Sequence, residues 1–233
     1  MPREVAMIMS SRSTAATPAA HRTVRKTMAG LPLAALLCAS AAYGATYDEG
    51  RLDPSWFGQD DISFVETDEI DYLWVRQGAD LAGRSFHFVE WPESDFIGPK
   101  AAERDDEDRR LARQMRADMH NSFAEIWDGM IGDTSTSEGD IEVVGRIVDC
   151  STGSRAAKVL VGLGAGAGST VIDLKFTDKA TGELLAAIHH RVVSGTSWST
   201  TDSKFFKWVK KAGKELADQG FASAYAKGDR RTD

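Results

Sequence analysis

Residues 170–193 read Thr170-Val171-Ile172-Asp173-Leu174-Lys175-Phe176-Thr177-Asp178-Lys179-Ala180-Thr181-Gly182-Glu183-Leu184-Leu185-Ala186-Ala187-Ile188-His189-His190-Arg191-Val192-Val193. Thr170, Ile172, Leu174 and Phe176 alternate with Val171, Asp173, Lys175 and Thr177, the period of a half-buried strand. Asp178–Gly182 has turn chemistry, with Gly182 free to take a positive φ. Leu184–Val193 returns antiparallel, with Leu184, Ala186, Ile188 and Val192 as its buried face.

Upstream, Ile141–Asp149 is a further strand, joined to the hairpin by a small, apolar, glycine-dense stretch from Ala156 to Gly168. Before it, Leu111, Met115, Met119, Phe123, Ile126 and Met130 recur at helical spacing, so a long helix runs from about Asp105 to Met130. Asp105, Asp106, Glu107 and Asp108 suit its positive end, and Gly129 and Gly132 mark its stop. Ser85–Trp91 alternates as a strand ended by Pro92. Downstream, Thr201 or Asp202 caps a last helix whose stripe is Phe205, Val209, Ala212 and Leu216. The order β-α-β-β-β-α predicts an α+β fold: an open, mostly antiparallel sheet with two long helices on one face. The domain spans 81–228. An extended N-terminal strap (45–80) precedes it, with β-like runs at Ile62–Val65 and Tyr72–Val75, and a disordered tail (229–233) follows.

Residues 1–44 read as a cleavable secretory signal. Arg22, Arg25 and Lys26 precede an apolar stretch from Met28 to Ala42, which ends in Ala42-Tyr43-Gly44 before Ala45. Charge, then apolar residues, then small residues is the export pattern, with cleavage between Gly44 and Ala45, or else after Ala41. An anchor helix fits less well, because the stretch is short for a span of roughly 20 residues and contains Pro32. Cys38 offers a lipidation site, although Leu37 stands where a small residue is wanted; one diacylated cysteine would tether the chain without threading it through a bilayer. The leader holds 5 of the 28 basic and 1 of the 35 acidic residues, so the remainder carries a net charge of −11. That balance excludes a nucleic-acid role and argues against anionic lipid.

The candidate chemistry is sparse. Gly162, Gly164, Gly166 and Gly168 fail the dinucleotide fingerprint in register and context, since a strand follows where a helix should. They let something flat approach the backbone closely, either a neighbouring helix of the same chain or another subunit or envelope component. His189 and His190 are adjacent on a strand and point to opposite faces, so one zinc ion would not take both. His190 reads as a hydrogen-bonded core residue, whereas His87 and His189 would meet if their strands were neighbours. Cys150 reads as a buried core thiol. No Ser sits in a nucleophile elbow, and nothing specifies a cofactor or a metal.

Four segments carry a resemblance: Gly145–Asp149, Gly153–Ala157, Val161–Gly166 and Thr177–Ala186. Together they resemble the bacterial envelope family known as domain of unknown function 4410. Asp71–Val75 and the strand ending at Trp91 are similar to a sister lipoprotein family, domain of unknown function 3313. The match covers roughly residues 70 to 215. It implies an α/β domain like those of curli-assembly and Tol-type periplasmic proteins, with a binding or assembly role in the envelope and no catalytic residue. The leading expectation is therefore a non-enzymatic module of the periplasm or outer membrane, binding an envelope partner through a sheet edge or the glycine segment. The alternatives are a hydrolase or metal-dependent enzyme using His87, His189 or Asp149, and a subunit that self-assembles through its edge strand.

Overall fold

The computed structural model describes residues 47–59, 61–93, 95–153, 167–194 and 201–231. One eight-stranded sheet organises them, in the order β4-β3-β5-β6-β7-β2-β1-β8. Its strands are β1 (Val65–Glu66), β2 (Tyr72–Val75), β3 (Arg84–Phe88), β4 (Gly132–Asp133), β5 (Ile141–Ser151), β6 (Ser169–Asp178), β7 (Leu184–Val193) and β8 (Asp229–Arg230). The helices are α1 (Asp106–Trp127), α2 (Thr201–Gln219) and α3 (Phe221–Lys227). β3 runs parallel to both β4 and β5, and the other pairings are antiparallel. The α+β class and the two long helices on one open sheet are as the hydrophobic periods predict.

The central hairpin forms where its sequence places it. Gly182 takes φ 72°, and the Asp178 carboxylate accepts the Ala180 and Thr181 amides at 2.9 and 3.0 Å, closing the turn. β6 is not half-buried, however. Asp173 and Val171 are as fully covered as Ile172 and Leu174, because the sheet is packed on both faces. The register shifts beside Phe176, so Leu184 pairs Thr177 while Ala186 pairs Phe176. Leu184 thus leaves the Ala186–Ile188 face predicted for it and packs with the opposite cluster.

On one face, Phe86, Phe88, Val143, Leu174, Phe176 and Ile188 lie under α1 and α2. The stripe of α1 that reaches them is Ala112, Met115, Met119, Phe123 and Trp127; Leu111, Ile126 and Met130 are only partly buried. The helix ends at Trp127, whose indole donates to the Val209 carbonyl at 2.7 Å and joins α1 to α2. Asp105 caps the helix by accepting the Asp108 amide at 2.9 Å. Asp108 itself accepts the amide and hydroxyl of Thr152, at 2.7 and 2.9 Å, and ties the helix to the end of β5. Each fully covered aromatic here contributes roughly 1.5–3 kcal/mol.

The other face is covered from the N-terminal side. Leu52, Phe57, Ile62 and Phe64 pack on Tyr72, Leu184 and Ala187. The segment before Leu81 also supplies two strands: Leu73 pairs Ile188 of β7, and Val65 pairs Leu73. Asp229–Arg230, in the charged tail, form β8 against β1.

Candidate functional site

Where the 48–53 segment crosses β5, β6 and β7, ionisable side chains stand at strand positions that would otherwise be apolar. Arg146 pairs Asp173 across β5 and β6, and Asp173 pairs His189 across β6 and β7, so the three side chains share one face. Asp149 stands on that face, opposite Val171, where regular alternation would put Val148, because the register shifts between Ile147 and Asp149.

These groups form a chain of alternating charge. Arg104 forks onto Asp149 through Nε and Nη2, both at 2.7 Å. Arg51 Nη1 lies 3.7 Å from Asp149 and its Nε 3.0 Å from Asp48. Asp48 Oδ2 is 3.0 Å from His189 Nε2, and His189 Nδ1 is 2.5 Å from Asp173 Oδ1. Arg146 Nε donates to Asp173 Oδ2 at 2.7 Å. The Arg146 guanidinium and the Lys175 ammonium lie 4.5 and 4.6 Å from the Trp56 ring centroid, so two cations meet one electron-rich ring.

Electrostatics keep His189 charged. Burial alone would push its pKa down, but the charge of Asp173, the hydrogen bond to it and then Asp48 outweigh burial and raise it to about 8. Burial would raise Asp48; the hydrogen bonds from His189 and Arg51 outweigh it and hold the carboxyl at about 2. Lys175 is depressed by burial and by the charge of Arg146. Protonated, both imidazole nitrogens donate, one to each carboxylate. Asp48 and Glu49 take left-handed conformations, φ 45° and 56°, at a cost of about 1–2 kcal/mol for each non-glycine residue. Arg51 holds both of their carboxylates, Asp48 at 3.0 Å and Glu49 at 3.0 Å, which offsets that strain.

A histidine between two carboxylates looks like acid–base machinery. Here His189 and Asp173 are 0% exposed and both ring nitrogens are engaged. A general base needs reach to a substrate proton, and this imidazole has none in this arrangement. Among the described residues no three carboxylate, imidazole or thiol groups are arranged to hold a metal ion.

His87 does not join the cluster. It stands opposite Glu142 on β3, and β5 and β6 separate its strand from β7, so the two-histidine site expected from sequence is not formed. His190 turns to the helix face, lies 3.0 Å from Asp71 and stacks on Trp208 at 4.2 Å, as a paired core residue. Asp149, offered as a catalytic carboxylate, is taken up by Arg104 and Arg51. Cys150 is buried beside Thr170, and burial pushes its thiol up to about 12.

Gly162, Gly164 and Gly166 lie outside the described residues, as do Cys38, Gly44 and Ala45. Gly168 is buried: its amide donates to Ser194 Oγ at 2.9 Å and its carbonyl accepts the Ser194 amide at 2.8 Å. The strand ends that bracket 154–166 and 195–200 are therefore side by side at one end of the sheet, where Ser169 pairs both Ser151 and Val193.

Reading residues alone missed Asp48, Arg51, Arg104, Arg146 and Asp173. The available sign was an aspartate and a histidine inside apolar strands, between Ile172 and Leu174 and after Ile188. No helix of the described residues is long and apolar enough to cross a membrane.

Among known proteins, the family described as domain of unknown function (DUF4410) matches residues 66–201. Two solved structures of the PelC dodecamer from Paraburkholderia phytofirmans are similar. A substituted form is 12% identical over 62% of this chain and 95% of that chain, with a TM-score of 0.37. A second is 13% identical over 61% and 94%, with a TM-score of 0.38. No curated protein matches the chain.

Proposed function

The chain belongs to the DUF4410 family, and from that premise we propose that it is a non-enzymatic binding or assembly module exported to the bacterial envelope. The observation that carries this reading is the closure of the His189 cluster. The strongest acid–base geometry among the described residues holds the N-terminal segment onto the sheet instead of facing a substrate. Export is supported by the leader, with its basic cluster, apolar stretch and small residues at Ala42 and Gly44. Lipidation at Cys38 belongs to the same proposal as a means of membrane tethering.

The partner surface is the end of the sheet from which 154–166 and 195–200 depart. The Gly168–Ser194 bonds brace its base, and Gly162, Gly164 and Gly166 allow close backbone approach. Strand addition at the sheet edges is less favoured, since β4 and β8 are two residues each and offer little ladder.

The test is affinity capture from envelope extracts with wild type and Gly164→Trp. A defined partner retained by the first and lost by the second is the expected result; equal capture by both removes the surface. N-terminal sequencing of the mature chain reads out Ala45 if the leader is cleaved as proposed, and an intact leader in a cytosolic fraction removes export.

A further inference from the structure

We propose that a cavity of about 130 Å³ between α1 and the 95–97 loop is a binding site for a small carboxylate-bearing ligand. Arg109, Arg113 and Arg116 line it from α1. At spacings of four and three they share one helix face, so three arginine side chains border one hollow. Two are positioned by the protein. Arg109 donates to the Ala101 carbonyl at 3.3 Å and lies 5.4 Å from the Phe96 ring centroid. Arg116 donates through Nη1 to the Trp91 carbonyl at 2.9 Å, and its Nε is buried with no hydrogen-bond partner. Salt bridges account for Arg51, Arg104 and Arg146 elsewhere, but none engages these three among the described residues.

The rest of the lining selects the ligand. Phe96 and Ile147 provide apolar wall, which suits an acid carried on an apolar or planar body. Glu93 and Asp95 also face the hollow, so the five charges sum to +1. A monoanion is matched, whereas a phosphate monoester would bring a second negative charge beside two carboxylates. Guanidinium edges recognise a planar carboxylate by paired hydrogen bonds, and a guanidinium already stacked on a ring loses little freedom in doing so. The site is separate from the His189 cluster and stands independently of the proposed assembly surface.

The test is titration calorimetry on the purified chain with benzoate, benzamide and inorganic phosphate. Benzoate is expected to saturate one site, with benzamide and phosphate at least about tenfold weaker, since the neutral isostere loses the charge-assisted bonds. Arg116→Gln and the exposed Arg113→Gln are each expected to weaken benzoate about tenfold, with thermal melts showing both variants folded. A short peptide with a free carboxyl-terminal Phe, run beside its amidated form, separates a partner's chain end from a free acid by which of peptide and benzoate binds tighter. No saturable benzoate binding at millimolar concentration, unchanged binding in the folded Arg113→Gln variant, or phosphate binding tighter than benzoate would each overturn the proposal.

Discussion

His189 Nε2 stands 3.0 Å from Asp48 Oδ2, a contact that joins the middle of the sheet to a strained turn 141 residues earlier. Through it the segment that covers the second face is fastened at its head, while Phe57, Ile62 and Phe64 fasten it by burial. The two means of attachment respond to different conditions, and the ionic one responds to pH.

Stability is expected to fall on both sides of a plateau. The pKa of His189 rises on folding from 6.5 to about 8, so the folded state binds its proton more tightly. Its contribution is complete below about pH 6.5 and is lost as pH rises through 8, a change on the order of 2 kcal/mol. Asp48 is depressed from 3.8 to about 2, so its contribution is complete above 3.8 and is lost on acidification towards 2. Thermal melts between pH 3 and 9 are expected to show the plateau, and His189→Gln is expected to remove the alkaline decline. An unchanged alkaline limb in that variant would show that another group titrates there.

Asp173→Asn is expected to destabilise by about 3–5 kcal/mol, because it leaves Arg146 and the His189 ring in a dry site without their common carboxylate. The same change removes the main force raising the His189 pKa, so burial should leave that ring neutral near pH 7. Urea unfolding gives the first quantity, and imidazole NMR titration gives the second.

Gly145→Ala and Gly213→Ala test the helix face. A Cβ at Gly145 would sit 2.3 Å from Trp91 ring atoms, and one at Gly213 would sit 2.4 Å from the Trp127 ring. In an open helix Gly→Ala stabilises by about 1 kcal/mol. At position 213 the sign is expected to reverse, with each variant losing about 1–3 kcal/mol by overpacking and shifting the tryptophan emission. Chemical denaturation followed by fluorescence reads both effects, and a stabilised Gly213→Ala would contradict this packing.

Cys150 is expected to ignore thiol reagents in the native protein. Its thiol is buried and its pKa pushed up to about 12, so the reactive thiolate is scarce at neutral pH. Ellman's reagent should react only at the rate of unfolding, and completely in urea. Rapid reaction of the native chain would place the thiol at the surface.

Much of the layer architecture was legible from periodicity alone. The hairpin of Ser169–Val193, the long α1 and the amphipathic α2 each repeat at their own period, and the acidic run from Asp105 stands at the start of α1. The predicted stripe on α1 ran one residue too far to one side, through Leu111 and Ile126 instead of Ala112 and Trp127. Alternating burial was overread in β6, since a period of two says which residues share a face but not whether something covers the other face. The same gap hid the charge cluster: Asp173 and His189 looked like solvent-facing residues until Asp48 and Arg51 arrived over them.

Local chemistry therefore determined the elements of this protein, because hydrogen bonding and hydrophobic period act over a few residues. The meeting of Asp48 with His189, the separation of His87 from His189 by two intervening strands and the meeting of Arg116 with Phe96 at one hollow were settled only in three dimensions. Those relations depend on strand order and on which segment crosses which face, and spacing along a chain carries no measure of either.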